Sequence, residues 1–446
     1  MWPAAADIRS GQDDTPLRKV AFITLGCKVN TYETEGMKRI FEQDGYQVVE
    51  PENVADVYII NTCTVTHLSD RKSRQMIRRA RRLNPRAVIA AVGCYAQIAP
   101  EEVSTIEGVN LVVGNNHKNE ILSLVNEASW NTLQVDVSAR KELKDYEELW
   151  AQSFSGRTRA FLKIQDGCDQ FCSYCIIPFA RGGVRSRSLE NIYQEAVKLS
   201  ENGFSEIVLT GIHLTSYGID TGEHSLFDVI AHLNGIEGIR RIRLGSLEPL
   251  YMNHDMIRRM AGIDKLCPHF HLSLQSGCDE TLVRMNRDYT TQEYREIVEN
   301  IRHYFPDAAI TTDIMVGFPG ETGEEFGKTC SFAESVGFSQ IHIFQYSIRK
   351  GTKAAGMPDQ VQAAVKEERS KILGKIAEKT KAAFREKYTG TTVEVLFEQI
   401  QDGLWEGHTR NYIPVRVVSS DELSGQSRMV RLAENQPEYV LGKLDE

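Results

Sequence analysis

The chain has 446 residues, 41% of them hydrophobic and 25% charged, and a formal net charge of −9. That length accommodates two or three domains with cores of their own. The acidic balance argues against a generally cationic nucleic-acid binder and leaves only local basic patches for that purpose. No run of 18 apolar residues occurs, so no membrane span is expected.

Residues 1–17 lack the apolar centre of a signal peptide and are expected to form a flexible extension. Nine cysteines without a secretion signal suit a reducing, cytoplasmic setting. There, clustered cysteines bind metal or do chemistry more often than they form disulfides. From 18 to 130, short apolar runs alternate with helical patterns: "VAFITLGC", "NTYETEGMKRIFEQDG", "DVYIINTC", "LSDRKSRQMIRRARRLN", "AVIAAVGC". This βα rhythm predicts a doubly wound parallel α/β domain. Cys27, Cys63 and Cys94 each end one apolar strand, at the sheet edge where such folds bind ligands. One such cysteine alone reads as a small buried residue; three in the same placement favour a shared site.

An acidic linker is expected over 131–153. Residues 154–385 carry six strand candidates, "AFLKIQDG", "EIVLTGIHL", "RIRLGSLEP", "HFHLSLQSG", "AITTDIMVGFPG" and "QIHIFQYS", separated by helical stretches. Six βα units predict a partial (β/α)6 barrel. Residues 386–446 read as short strands and turns, suiting a small β-barrel.

The loop after the first barrel strand, "GCDQFCSYC", brings Cys168, Cys172 and Cys175 together on the face where βα barrels put their chemistry. A structural zinc site wants four protein ligands. Three thiolates suit a four-iron cluster with one iron left for an exogenous ligand, and the three strand-end cysteines obey the same arithmetic. The spacing C-x3-C-x2-C, with Tyr174 ahead of the last cysteine, resembles the signature of the radical S-adenosylmethionine (SAM) superfamily.

With an α/β domain before the barrel and a β-domain after it, nearly the whole chain resembles the radical SAM methylthiotransferase family. The C-terminal block is similar to that family's TRAM domain. "LGCKVNTYETEGM" looks most like the branch acting on N6-threonylcarbamoyladenosine; "INTCTVT", "VGCYAQ", "GCDQFCSYCIIPFARG" and "VGFPGET" support the match. The resemblance implies a tRNA-modifying transferase that adds a methylthio group to carbon 2 of that base at position 37, in the anticodon stem-loop. It implies two SAM-dependent steps: methyl transfer to a cluster-bound sulfur, then radical C–H activation and C–S bond formation. It also implies two 4Fe–4S clusters, an auxiliary one on Cys27, Cys63 and Cys94 and a SAM-binding one on Cys168, Cys172 and Cys175. An electron donor such as flavodoxin or ferredoxin and a sulfur source complete the set, and no side-chain acid or base is assigned. Sister branches acting on isopentenyladenosine in tRNA or on a ribosomal protein stay open. So do a radical SAM enzyme whose second cluster only relays electrons, and a non-catalytic RNA-binding protein with a structural metal.

Tyr174, Gly211, Ser246, Glu248, Gln275 and Asp313 stand at or near the cluster loop and strand ends, where they either line a SAM or base pocket or serve as capping and buried hydrogen-bonding groups. Arg181, Arg185 and Arg187 either meet the SAM carboxylate or RNA phosphate or sit in solvent. Cys267, Cys278 and Cys330 lack ligand spacing and read as structural; His213, after a strand-end glycine, either approaches the site or is a satisfied structural histidine. For RNA, "RKSRQMIRRARR" holds seven basic residues in twelve. Arg78, Arg79, Arg81 and Arg82 are its phosphate-binding candidates. In the C-terminal block, Arg410, Tyr412 and Arg416 offer guanidinium and aromatic surfaces for RNA, with a core role for Tyr412 as the alternative.

Overall fold

The computed structural model describes residues 18–154 and 156–445; the expected extension over 1–17 lies outside them. Its first unit is one parallel sheet in the order β2-β1-β3-β4-β5-β6. The strands are β1 (Lys19–Thr24), β2 (Gln47–Val49), β3 (Val57–Thr62), β4 (Val88–Gly93), β5 (Leu111–Val113) and β6 (Gln134–Asp136). Helices α1 (Lys28–Gln43) and α2 (His67–Leu83) follow β1 and β3. β3 and β4 are buried along their whole length, as central parallel strands must be.

The linker expected over 131–153 is more tightly held than its polarity suggests. β6 pairs with β5 and completes the sheet edge. Leu149 and Ala151 then enter the core of the second unit. The acidic side chains between these anchors obscure them in the sequence.

The second unit is an open barrel of parallel strands. β7 (Arg159–Lys163), β10 (Glu206–Thr210) and β11 (Arg241–Leu244) form one wall; β12 (Ser246–Leu247), β13 (His269–Leu272), β14 (Ala309–Val316) and β15 (Gln340–Gln345) form the other. The third expected strand is thus interrupted at Gly245. β8 (Gln165–Asp166) and β9 (Arg185–Ser186) form a small antiparallel pair around the cysteine loop. Alternate residues of the walls, Leu162, Ile207, Ile242, Phe270 and Ile314 among them, pack into the outer core. By the two-residue period of a strand, the others face the lumen; most are polar, Arg159, Glu206, Arg243, His269, His271, Asp313 and His342 among them, with Phe161, Val208, Met315 and Phe344 as apolar exceptions.

The barrel does not close between β7 and β15, and the first unit spans that gap. Helix α1 packs on β7. Across the opening, Arg349, just past β15, donates to Asp70 of α2 at 2.6 Å.

After the helix Ala363–Glu386, a closed five-stranded barrel forms from β16 (Thr392–Gln401), β17 (Leu404–Thr409), β18 (Pro414–Val417), β19 (Ser427–Asn435) and β20 (Val440–Leu444). Among the described residues no helix is long and apolar enough to cross a membrane.

Candidate functional site

Cys27, Cys63 and Cys94 follow the carboxyl ends of β1, β3 and β4 and converge there. Two glycines permit this. Gly26 has φ +105°, and a Cβ there would lie 2.8 Å from the Cβ of Cys63. Gly93 has φ +91°, and its Cβ would lie 2.5 Å from Asn61 Oδ1. Both conformations are open to glycine and strained for other residues. The Asn30 amide donates to Leu25 O at 2.7 Å and Thr62 O at 3.0 Å, fastening the first two cysteine loops together. Asn115 Nδ2 and Arg181 Nε donate to Cys94 Sγ at 3.5 and 3.3 Å. Burial, followed by the neighbouring Cys94, pushes the Cys63 thiol up to about 11.

The second triad lies in the loop between β8 and the helix Ile177–Arg181. Cys168 N donates to Gly182 O at 3.0 Å and Cys175 N to Cys172 O at 2.9 Å. Arg287 Nη1 donates to Cys172 Sγ at 3.2 Å. Burial pushes the Cys168 thiol up to about 11 and, with Cys172 adding to it, Cys175 up to about 12. Thiols held this way keep their protons at neutral pH until a metal displaces them. Each triad therefore offers three convergent sulfurs and one guanidinium directed at a sulfur, a donor set that fits a four-iron cluster with one open position.

Tyr174, Gln275 and Asp313 share a cavity of about 190 Å³ with Cys175, lined also by Val65 and Thr66 of the first unit. The other pocket candidates are elsewhere. Gly211 abuts Gln165, whose Oε1 would lie 2.8 Å from an added Cβ. Ser246 stays open beside His271 in the strand register. Glu248 is committed: both its oxygens accept from Arg287 Nη2 at 2.6 Å, and burial still pushes its carboxyl up. Burial lowers the His213 imidazole to about 4, but its buried Nε2 has no hydrogen-bond partner among the described residues, so it is not the satisfied structural histidine expected.

The expectation that Arg181, Arg185 and Arg187 meet ligand or solvent is overturned. All three are buried. Arg181 binds Glu33 at 2.8 Å, Asn30 at 2.7 Å and Asp166 at 3.1 Å. Arg185 pairs with Asp166 at 3.6 Å, and Arg187 pairs with Glu148 and Glu195. Lys163 adds bonds to Glu33 at 2.9 Å and Asp166 at 2.6 Å. Glu33 and Asn30 belong to α1, and Lys163, Asp166, Arg181, Arg185, Arg187 and Glu195 to the barrel, so this network joins the two units beside both cysteine sites. Of the structural cysteines, Cys267 and Cys278 are buried and Cys330 is half-buried.

The RNA candidates divide by helical phase. Arg78 and Arg82 line an open groove of about 490 Å³ with Arg71, Arg74 and Gln75. Arg79 lies off that stripe, 3.2 Å from Glu52. Arg81 is withdrawn altogether, donating to Pro85 O at 2.6 Å, Asn110 Oδ1 at 2.7 Å and Gly108 O. Arg410, Tyr412 and Arg416 are likewise drawn inward. Arg410 caps Asp264 O and Leu266 O. Tyr412 stacks on His408 with centroids 4.6 Å apart, under Arg159 and Arg243. Arg416 binds Glu406 at 2.7 Å and Asp402 at 3.1 Å. They join the β-barrel to the lumen or stabilise the β-barrel itself. Replacing Arg78 and Arg82 with glutamate is expected to weaken RNA binding and to lower the slope of log affinity against log salt by about 1.5, since each lost phosphate contact removes about 0.7–0.9. Fluorescence anisotropy with an anticodon stem-loop at several salt concentrations checks this; an unchanged slope removes the groove from the interface.

Two features join sequence candidates to residues the sequence did not single out. His271, Asp313 and His342 bring ligand atoms within 4.8 Å of one another on the lumen wall, with His271 Nε2 at 3.3 Å from Asp313 Oδ2. A larger cavity of about 580 Å³ opens beside Cys27, lined by Lys28, Arg157, Arg159, Arg243, Tyr412 and Glu398, and so by all three units. Lys28 keeps open surface there although burial, Arg159 and Arg243 lower its amine; its open surface faces the cavity. The polar–apolar alternation of "RIRL", "HFHL" and "QIHI" is the sequence signal for this lumen.

Residues 19–114 match the model of an uncharacterized protein family, UPF0004, and residues 162–333 that of the radical SAM superfamily. The chain is 40% identical to the threonylcarbamoyladenosine tRNA methylthiotransferase MtaB of Bacillus subtilis, over 93% of each chain. It is 36% identical to the tRNA-2-methylthio-N(6)-dimethylallyladenosine synthase of Pelotomaculum thermopropionicum, over 86% of this chain and 88% of that one. In fold it resembles the radical SAM methyltransferase TsrM of Kitasatospora setae, with TM-score 0.55, 15% identity and 73% of each chain covered.

Proposed function

The chain belongs to the radical SAM methylthiotransferase family, a tRNA-modifying group of transferases, and from that premise we propose that it adds a methylthio group to carbon 2 of N6-threonylcarbamoyladenosine at position 37 of tRNA. The observation that carries this reading is the pair of three-cysteine sites, joined by one buried ion-pair network at the seam between sheet and barrel. The higher identity to the threonylcarbamoyladenosine enzyme than to the dimethylallyladenosine enzyme supports the choice of base.

Cys27, Cys63 and Cys94 would hold an auxiliary 4Fe–4S cluster, and Cys168, Cys172 and Cys175 a second one that binds SAM. When bound, the clusters and SAM supply the sulfur, the methyl group and the one-electron chemistry that activates an aromatic C–H bond. The chain's own contribution is placement. Arg181 leaves the helix that follows Cys175 and reaches Cys94 Sγ. It thereby ties the two sites to a fixed separation, which positions reacting groups and avoids an entropic barrier. Arg287 does the same locally, holding Cys172 and Glu248 at once. The sheet lies across the open side of the barrel. Tyr174, Gln275 and Asp313 would line the SAM and base pocket. The groove on α2 would guide RNA phosphates, and an external reductant and sulfur donor would complete the cycle.

Mass spectrometry of tRNA nucleosides from cells with and without the gene tests this. The 2-methylthio form of N6-threonylcarbamoyladenosine is expected to disappear with the gene, leaving the unmodified base in its place. Loss of the methylthio form of isopentenyladenosine instead would overturn the choice of base.

A further inference from the structure

The cavity beside Cys27 carries an uneven charge. Its wall holds four cations, Lys28, Arg157, Arg159 and Arg243, against one carboxylate, Glu398. That carboxylate is already shared, accepting from Arg159 at 2.8 Å and facing His408 Nδ1 at 2.7 Å. Arg243 is held by Glu206 at 2.7 Å and donates to Arg410 O at 3.0 Å. Lys28 has no hydrogen-bond or ion-pair partner among the described residues. It follows Cys27 directly in sequence, and both residues line this cavity. Like charges converging in an enclosed space repel one another and are stabilised by an anion.

The two candidate bases differ in the property this cavity selects. N6-Threonylcarbamoyladenosine ends in a carboxylate and a hydroxyl. The dimethylallyl base ends in an uncharged hydrocarbon, which gains nothing from a cation without a partner. We infer that Lys28, set among Arg159 and Arg243, binds the carboxylate of the threonylcarbamoyl group and so selects that base over its hydrocarbon-bearing counterpart. The inference rests on the reading of the substrate given above and adds the residue that recognises it. The strong ionic hydrogen bond of an ammonium to a carboxylate is suited to such a choice, because a site built for a polar group rejects the analogue lacking it far better than an apolar pocket rejects an extra methylene.

The test uses reconstituted protein, wild type, Lys28→Met and Lys28→Arg, and anticodon stem-loops carrying at position 37 either N6-threonylcarbamoyladenosine or the same base with its carboxylate converted to the amide. Dissociation constants are measured for both, and methylthio product for the first. Wild type is expected to bind the acid at least tenfold more tightly than the amide, Lys28→Met to lose that ratio, and Lys28→Arg to keep most of it. Because the ratio is taken within one preparation, incomplete cluster loading cancels. Equal weakening for acid and amide in Lys28→Met would show that Lys28 meets a backbone phosphate, overturning the inference; so would an undiminished ratio. Wild-type product on the threonylcarbamoyl stem-loop tests the substrate reading separately, so a failure there is distinguishable from a failure of Lys28.

Discussion

Changing Cys63 to alanine is expected to abolish methylthio product while leaving SAM cleavage intact. Two thiolates, Cys27 and Cys94, remain at the strand-end site, too few to hold a cubane securely, so iron should fall from about eight to about four per chain. Cys168, Cys172 and Cys175 stand in the barrel, and their loop is held by Gly182, Arg287 and Met285. None of those contacts involves Cys63, so reductive cleavage of SAM to 5′-deoxyadenosine should persist. Changing Cys172 to alanine should also remove about four irons, and with them both 5′-deoxyadenosine and product. Iron analysis and chromatography of both products under dithionite check the pair. A Cys63→Ala protein that still forms the methylthio base at a normal rate would overturn the assignment of sulfur insertion to the sheet site.

The six cysteines were legible in the sequence because each carries its own context. Three end apolar runs of a βα series, and three share one short loop with a distinctive spacing. The six barrel strands were legible for a similar reason, as runs of apolar residues between helical patterns. What surrounds the cysteines was not legible. Arg181 was an open question because Glu33, its partner, lies 148 residues away, and no local pattern announces a pair across two domains. The basic run on α2 was visible, but which arginines face outward depends on phase around the helix. Ser73, Ile77 and Ala80 fix the inner face, which turns Arg81 back toward Gly108 and leaves Arg78 and Arg82 on the groove. Tyr412 illustrates a third limit. It sits at φ +67° in the turn between β17 and β18, and only that turn directs its ring into the lumen.

The network around Glu33 sets the second large expectation. Glu33 is fully buried and faces Arg181, Lys163 and Lys118 at 2.8, 2.9 and 3.4 Å. Burial raises its carboxyl, and the three cations more than offset this, Arg181 foremost, so that it lies well below the usual carboxylate range. Asp166 is lowered in the same way, by Arg181 and then Lys163. Removing one member of such a cluster leaves buried charge unpaired, at a typical penalty of about 3–5 kcal/mol. Glu33→Ala should therefore lower the melting temperature by several degrees and make the α1–β7 seam sensitive to limited proteolysis. Glu33→Gln keeps the volume and part of the hydrogen bonding but not the charge, and should also destabilise. Both carboxylates have depressed values in the folded chain, so their contribution is complete above about pH 4–5, where the unfolded groups are ionised, and is lost as the pH falls through the folded values. The wild type should lose thermal stability below about pH 4 more steeply than Glu33→Gln, which has one such group fewer. Melting curves from pH 3 to 7 for the three proteins measure this. Parallel pH profiles for wild type and Glu33→Gln would mean that Glu33 does not hold sheet and barrel together through its charge, and that packing of α1 on β7 suffices.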